Sequence, residues 1–140
     1  MDISKILSKF YSEHDWHIGH DYNSLVFRTG VKPTLQELQE KDLLLKKQDL
    51  HMKIKSIAME KILAIAPDWK QRNLLAYSCD VLNKMILNDP ITPEEQAAID
   101  LAQAHWNRVK ALRAYSDQLE VLVDNTVDVD SLDINSGWPE

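Results

Sequence analysis

The sequence predicts a mainly α fold, in which a small N-terminal β-hairpin-like unit precedes three helices with a kink at Pro67 and coiled-coil-like packing. Only three glycines and five prolines occur among 140 residues, which favours helices over a turn-rich β fold. Two capping motifs open long segments of helical apolar periodicity. We therefore predict three parts: residues 1–33 form the N-terminal unit, residues 34–124 a helical domain and residues 125–140 an acidic docking tail.

The N-terminal unit is predicted to combine a short helix with a hairpin. Residues 1–13 alternate apolar and charged side chains, as a short amphipathic helix does, and they lack the continuous apolar stretch of a signal peptide. Residues 16–18 and 24–28 flank a polar turn, which is the pattern of two short strands, closed here by Gly30.

Three histidines of this unit, His14, His17 and His20, lie at intervals of three residues beside Asp15 and Asp21. Imidazoles and carboxylates are ligands for zinc and related ions. The turn makes the backbone extended or irregular here, however, whereas three-residue spacing groups ligands on a helix. A polar surface turn is the alternative interpretation and the one we favour. We predict no cofactor and no metal, and these histidines are the candidates if an ion binds.

The first long helix begins at a capping box formed by Thr34 and Glu37 and carries apolar residues on two sides. At about 100° per residue, two heptad-spaced rows fall on nearly opposite faces. One row is Leu43, Leu50, Ile57 and Ala64, joined by Ile54, and the other is Leu38, Leu45, Met52 and Met59. We expect one row to pack within the domain and the second to bind another subunit or a partner. Complete burial within one bundle is the alternative.

Pro67 ends this helix, because its ring removes an amide hydrogen and biases the preceding residue away from helical angles. Asp68 and Gln71 then have the spacing of a capping-box variant for the next helix, about residues 68–87. We predict that Trp69, on the first turn of that helix, is a buried structural anchor of the corner. A broad apolar stripe is expected to pack the helix against its neighbours.

The third helix of the domain begins at Thr92, with Pro93 at its first position and Glu95 at its third. His105 lies on its apolar side next to Trp106, and we predict a structural role for both, because a polar residue at such a position sets register or partner number. The apolar side alternates steps of four and three, as a coiled-coil seam does: Ala98, Ala102, His105, Val109, Leu112, Ser116, Leu119 and Val123.

Charge separates the end of the chain from the rest. Seven acidic residues and no lysine or arginine follow Arg113, whereas residues 1–113 hold sixteen basic and fifteen acidic residues. A nearly neutral body offers no basic face for phosphates, which argues against nucleic-acid binding. No segment is long and apolar enough to span a membrane, and the single Cys79 excludes an internal disulfide framework.

The tail, residues 125–140, combines acidic residues with regularly spaced apolar ones. Val127 and Val129 alternate with aspartates, as in a strand with one apolar face, and Trp138 supplies one large anchor. We predict a docking segment that adds to the exposed sheet edge of a partner. A disordered, solubilising tail is the alternative, because acidic chain ends of this composition commonly play that role.

The sequence contains no glycine-rich phosphate loop, nucleophile elbow or paired-carboxylate motif. Cys79 lies in an apolar helix stripe, where an inert thiol is expected. We therefore predict that the protein is not an enzyme. A small metal-dependent enzyme that uses the histidine turn is the remaining catalytic alternative.

Three helical segments carry a resemblance to a known group of proteins. Residues 66–73 (APDWKQRN), 105–111 (HWNRVKA) and 116–120 (SDQLE) resemble helical regions of small tail-associated proteins of tailed bacteriophages, of the tail-fibre assembly and accessory type. Residues 16–38 also look like the start of many such proteins, in which a short β unit precedes a helical part.

This resemblance implies a phage tail-associated structural or tail-fibre assembly protein that acts by helix-mediated association. Its expected partners are other phage tail or fibre proteins and further copies of itself, and we guess a trimer because the fibres of such phages are commonly trimeric. The expected location is the virion tail, or the host cytoplasm during assembly. A helical adaptor or coiled-coil interaction module unrelated to phages is the alternative.

Overall fold

The computed structural model describes residues 1–139, which form a mainly helical fold with one small antiparallel sheet. The predicted fold class is confirmed, including the N-terminal hairpin and the break at Pro67. The elements in chain order are α1 (Ile3–Phe10), β1 (Trp16–His17), β2 (Val26–Phe27), α2 (Leu35–Ile65), α3 (Asp68–Ile86) and α4 (Pro93–Asn125), with short 3₁₀ turns at Tyr22–Ser24 and Val129–Ser131.

The chain divides into two compact units. The first contains residues 1–51 and 123–132, and the second contains residues 52–122 and the described residues from 133 onward. The long helices α2 and α4 each contribute to both units. The domain boundaries predicted from sequence, after residues 33 and 124, stay predictions.

The first unit has a hydrophobic core where α1 and the hairpin pack against the start of α2. Ile6 and Leu7 of α1 are buried with Leu25, Leu38 and Leu45. Leu38 and Leu45 were predicted to bind a partner, and this prediction is wrong for both. Their side chains are covered because α1 and the hairpin occupy that face of α2 within the same unit. These covering elements precede α2 in the chain and form no part of its heptad pattern. The apolar row alone therefore does not show that they cover it.

The capping boxes predicted at the starts of α2 and α4 are confirmed, whereas a third at α3 is not. At α2, Thr34 Oγ1 accepts from the Glu37 amide at 3.2 Å, and Glu37 Oε2 accepts from the Thr34 amide at 2.7 Å. The backbone hydrogen bond from Thr34 lowers the pKa of Glu37 below its ordinary value. At α4, Thr92 and Glu95 exchange the same two bonds at 3.2 and 3.0 Å. These reciprocal bonds satisfy amides that have no partner inside the helix.

The corner at Pro67 differs from its predicted form. Pro67 itself is the N-cap of α3, and Asp68 is the first helical residue and makes no capping hydrogen bond. The predicted capping box between Asp68 and Gln71 is therefore wrong. Gln71 Nε2 instead donates to the carbonyl oxygen of Ala66 at 2.6 Å. Pro67 can take the N-cap position because its φ of −53° already suits the entry to a helix. Trp69 is 64% exposed, so its predicted role as a buried anchor is also wrong.

The apolar seam predicted for α4 is buried along most of its length. Val109, Leu112, Ser116, Leu119 and Val123 are all buried. Earlier seam positions, up to residue 105, are only half-buried. The less buried part of the seam therefore lies in the N-terminal half of α4, which follows α3 in the chain.

We expect Leu38→Ala to lower the free energy of unfolding by about 2–5 kcal/mol, because it removes a fully buried side chain from the first unit. Leu44→Ala in the same helix, at a side chain that is 41% exposed, is the matched control and should cost less than about 1 kcal/mol. Chemical denaturation followed by circular dichroism measures both. Equal losses for the two variants would contradict the placement of Leu38 in the core.

Candidate functional site

Helix α3 exposes an unusual amount of apolar surface. Of its nineteen residues, Val81 is the one that is buried. The sequence predicted that its apolar stripe packs against neighbours, and for most of that stripe the prediction is wrong. Large exposed apolar side chains on or directly after this helix are Trp69, Leu75, Tyr77, Leu82, Met85, Ile86 and Leu87. A large amount of exposed apolar surface is typical of association sites.

An open, largely apolar groove runs between α3 and α4 within the second unit. Its volume is ≈ 710 Å³. Val81 and Val109 are its buried residues from the two helices, and Leu75 and Leu82 are more than half exposed beside it. The full lining is Ala66, Gln71, Arg72, Leu74, Leu75, Ser78, Val81, Leu82, Met85, Ile99, Ala102, Gln103, His105, Trp106 and Val109.

The loop that joins the two walls of the groove is fixed by its ends. Asn88, two residues after the end of α3, is left-handed with a φ of 57°. Lys84 near the end of α3 forms an ion pair with Glu95 in the first turn of α4. The hydrogen bond between them raises the pKa of Lys84 and lowers that of Glu95. The two helices that line the groove are therefore also joined by a polar link.

His105 and Trp106 line the groove from α4. His105 is half-buried, and its Nδ1 atom is buried without a hydrogen-bond partner among the described residues. Trp106 is 44% exposed, with Lys110 Nζ at 5.7 Å and Arg113 Cζ at 5.4 Å from the centroid of its ring. Cations at such distances over an indole are favourable. Trp106 is thus a half-exposed wall of the groove, which differs from the purely structural role predicted for it.

The end of the chain folds onto α4 in the second unit. The ring of Trp138 meets that of Tyr115 edge to face, with centroids 5.1 Å apart, and Trp138 Nε1 donates to the Ile134 carbonyl at 2.9 Å. Tyr115 donates its hydroxyl hydrogen to the carbonyl of Ser136 at 3.0 Å. Gly137 has a φ of +77°, and a Cβ there would lie 2.5 Å from the Tyr115 hydroxyl oxygen. In this structure Trp138 is an anchor within its own chain.

The preceding part of the tail belongs to the first unit and forms no strand among residues 125–132. Val127 is 82% exposed whereas Val129 is buried, so the predicted strand with both valines on one face is wrong. Ser131 donates its hydroxyl hydrogen to the Asp128 carbonyl at 2.9 Å and closes a 3₁₀ turn, which breaks the alternation. The hydrogen bond that Asp130 accepts from Lys46 raises the pKa of that lysine.

Met52 and Met59, the second half of the predicted partner-binding row, are both 63% exposed. Met59 lines a second groove of ≈ 490 Å³ between α2 and α4, within the second unit. Charges of both signs border it, including an ion pair between Lys55 and Glu120 at 3.6 Å. The two methionines stay candidates for partner binding, but their mixed surroundings select no particular partner.

The three histidines of the N-terminal unit are exposed and are not gathered into one site. The ring of His14 lies 5.9 Å from that of Phe27 and 6.4 Å from that of Tyr11, so it is part of an aromatic cluster. Within residues 1–139, no group of three or more His, Cys, Asp or Glu side chains is arranged to hold a metal ion. None of the described helices has the length and hydropathy to cross a bilayer.

Comparisons with protein family models, with curated proteins and with solved structures find no match to this chain. The groove and the exposed face of α3 were not singled out from the sequence. A signal for them is present in the spacing of Leu75, Cys79, Leu82 and Ile86, which alternates four, three and four residues.

We expect His105→Leu to raise the free energy of unfolding by about 1–2 kcal/mol, because it removes a buried nitrogen without a hydrogen-bond partner. Helix propensity contributes only a few tenths of a kcal/mol to this gain. His20→Leu, at an exposed position, should change stability by less than about 0.5 kcal/mol. Urea denaturation compares the two, and a loss of stability in the His105 variant would show that this nitrogen has a partner.

We expect Gly137→Ala to loosen the end of the chain, because alanine is strained at a φ of +77° and its Cβ meets the Tyr115 hydroxyl. Amide exchange of residues 133–139, measured by mass spectrometry, should become at least about fivefold faster, which corresponds to roughly 1 kcal/mol. In a Tyr115→Phe background the same change should accelerate exchange less, since the clashing oxygen is gone. Unchanged exchange in the single variant would contradict the packing described.

Proposed function

We propose that this chain is a phage tail-associated structural or tail-fibre assembly protein that acts by helix-mediated protein–protein association. The observation that supports association is the apolar surface of α3, of which Val81 alone is buried. Burial of apolar surface is the main favourable term in most protein associations. The phage context comes from the resemblance of residues 66–73, 105–111 and 116–120 to tail-associated proteins.

The proposal makes the chain a binding protein and not an enzyme. The groove is mostly apolar, and its two candidates for acid–base chemistry are not paired. Ser78 donates its hydroxyl hydrogen to the Leu74 carbonyl at 2.8 Å, and His105 Nδ1 has no hydrogen-bond partner among residues 1–139. A nucleophile activated by a base requires a hydrogen bond between the two. Such a lining suits the apolar face of a helix better than a reaction.

The proposed partners are other phage tail or fibre proteins and further copies of this chain, and the proposed locations are the virion tail or the host cytoplasm during assembly. Nucleic acid is not a proposed partner, because residues 1–113 are almost neutral and the rest is acidic. A helical adaptor outside phages would use the same surfaces, so only the particle in which the chain is found separates the two proposals.

The test is quantitative mass spectrometry of purified tailed particles and of fibre complexes isolated from infected cells. We expect peptides of this chain in one of the two preparations at a fixed ratio to a tail or fibre protein. Presence in particles would make it structural, and presence in fibre complexes alone would make it an assembly factor. Absence from both preparations, with the chain detected in the cell lysate as a control, would contradict the phage proposal and favour the adaptor.

A further inference from the structure

We propose that two copies of this chain associate through α3, so that each copy places its exposed apolar stripe beside the groove of the other and the two α3–α4 pairs form an antiparallel four-helix bundle. The stripe consists of Leu75, Cys79, Leu82 and Ile86, all exposed. This inference deepens the proposed helix-mediated association and rests on it, but it does not depend on the phage context.

The spacing of the stripe is self-complementary in an antiparallel pair. A twofold axis midway between residues 79 and 82 sets Cys79 opposite Leu82 of the second copy. The same axis sets Leu75 opposite Ile86, because the two pairs of positions share one midpoint. A twofold interface requires this kind of self-matching, in which residue i meets j and j meets i. Steps of four and three keep all four positions on one face of the helix.

Charge follows the same symmetry. Arg72 and Asp89 also share the midpoint between residues 79 and 82. Both are exposed, with Arg72 in the first turns of α3 and Asp89 three residues after the end of the helix. The proposed axis therefore brings the basic side chain of one copy towards the acidic side chain of the other at both ends of the pair. Such complementarity fixes register and orientation.

The available area matches what a stable dimer needs. The stripe and its neighbours on the groove, Leu75, Leu82, Met85, Ile86 and Trp106, are each between 44% and 75% exposed. At about 100 Å² each they offer on the order of 500 Å² of apolar surface per copy. Since roughly 60% of an interface is apolar, this corresponds to about 800 Å² per partner, the size of a standard interface.

The two helices of one copy leave a wide apolar arc of α3 exposed, whereas the four helices of a bundle would enclose it. The arc of α3 extends from Leu74 and Val81, which line the groove, to the exposed stripe. A four-helix bundle buries such a wide apolar side on every helix. The trimer was guessed from the resemblance to fibre-associated proteins, whereas self-association was predicted from two opposed apolar rows of α2. Half of the row from Leu38 to Met59 is buried. The α3 stripe replaces that row as the surface of self-association.

Sedimentation equilibrium of the full chain at roughly 1–100 µM tests the stoichiometry. We expect a species of twice the 16.2 kDa of one chain. Leu82→Asp should raise the dimer dissociation constant at least about 100-fold, as loss of a central interface residue does. Val31→Asp, at an exposed apolar position in the first unit, is the matched control and should leave the constant unchanged. Far-UV circular dichroism checks that both variants fold.

The single cysteine tests the pairing without changing the interface. A bismaleimide that spans roughly 8–10 Å, the distance between axes of packed helices, should link Cys79 of the two copies into a covalent dimer. The control moves the cysteine to the far side of α3, as Cys79→Ser with Asn73→Cys, and should give no such product. A monomer, a trimer, or a dimer in which the control is linked as well as the natural chain would overturn the proposal. Each of these results leaves the particle test of the phage proposal unaffected.

Discussion

Pro67 is the constraint on which the second unit depends. Because proline cannot donate the amide hydrogen that α2 would need to continue, the helix ends at Ile65 and α3 begins at Asp68 as a separate segment. The acceptor freed at Ala66 is taken by the Gln71 side chain, so the corner is closed by its own residues. Once α3 is separate, a short loop and the ion pair of Lys84 with Glu95 join it to α4, and the groove lies between them.

Helix boundaries were predictable because the interactions that set them are local. Thr34 with Glu37 and Thr92 with Glu95 each form their bonds within one turn, so the sequence contains the whole motif. The corner at Asp68 shows the limit of this reasoning. Its spacing satisfies the same motif, but the preceding proline already has the geometry of a cap and moves the start of α3 by one residue. Neighbouring residues can take the place of a capping motif, and the spacing of the motif alone does not show whether they do.

Which face of a helix is covered was much less predictable. Leu38 and Met52 belong to the same heptad row, yet Leu38 is buried and Met52 is exposed. The difference comes from α1 and the hairpin, which cover only the first part of α2. The candidate site on α3 was missed for the same reason. An apolar stripe indicates that the helix packs against something, but it does not show whether that partner is another part of the same chain or a different molecule. The 4-3-4 spacing from Leu75 to Ile86 held information about symmetry that simple amphipathicity did not.

The sparse burial of α3 links its stability to association. Most of the stability of a protein helix comes from packing of its apolar face, and a helix of nineteen residues with one buried side chain gains little from it. The ion pair at one end and the Gln71 bond at the other hold its termini, but its apolar middle stays open. Covering that surface with a second copy would stabilise α3 and the interface in the same step. Self-association and the ordering of α3 are then one equilibrium, so a change that weakens the pairing also loosens the helix that forms it.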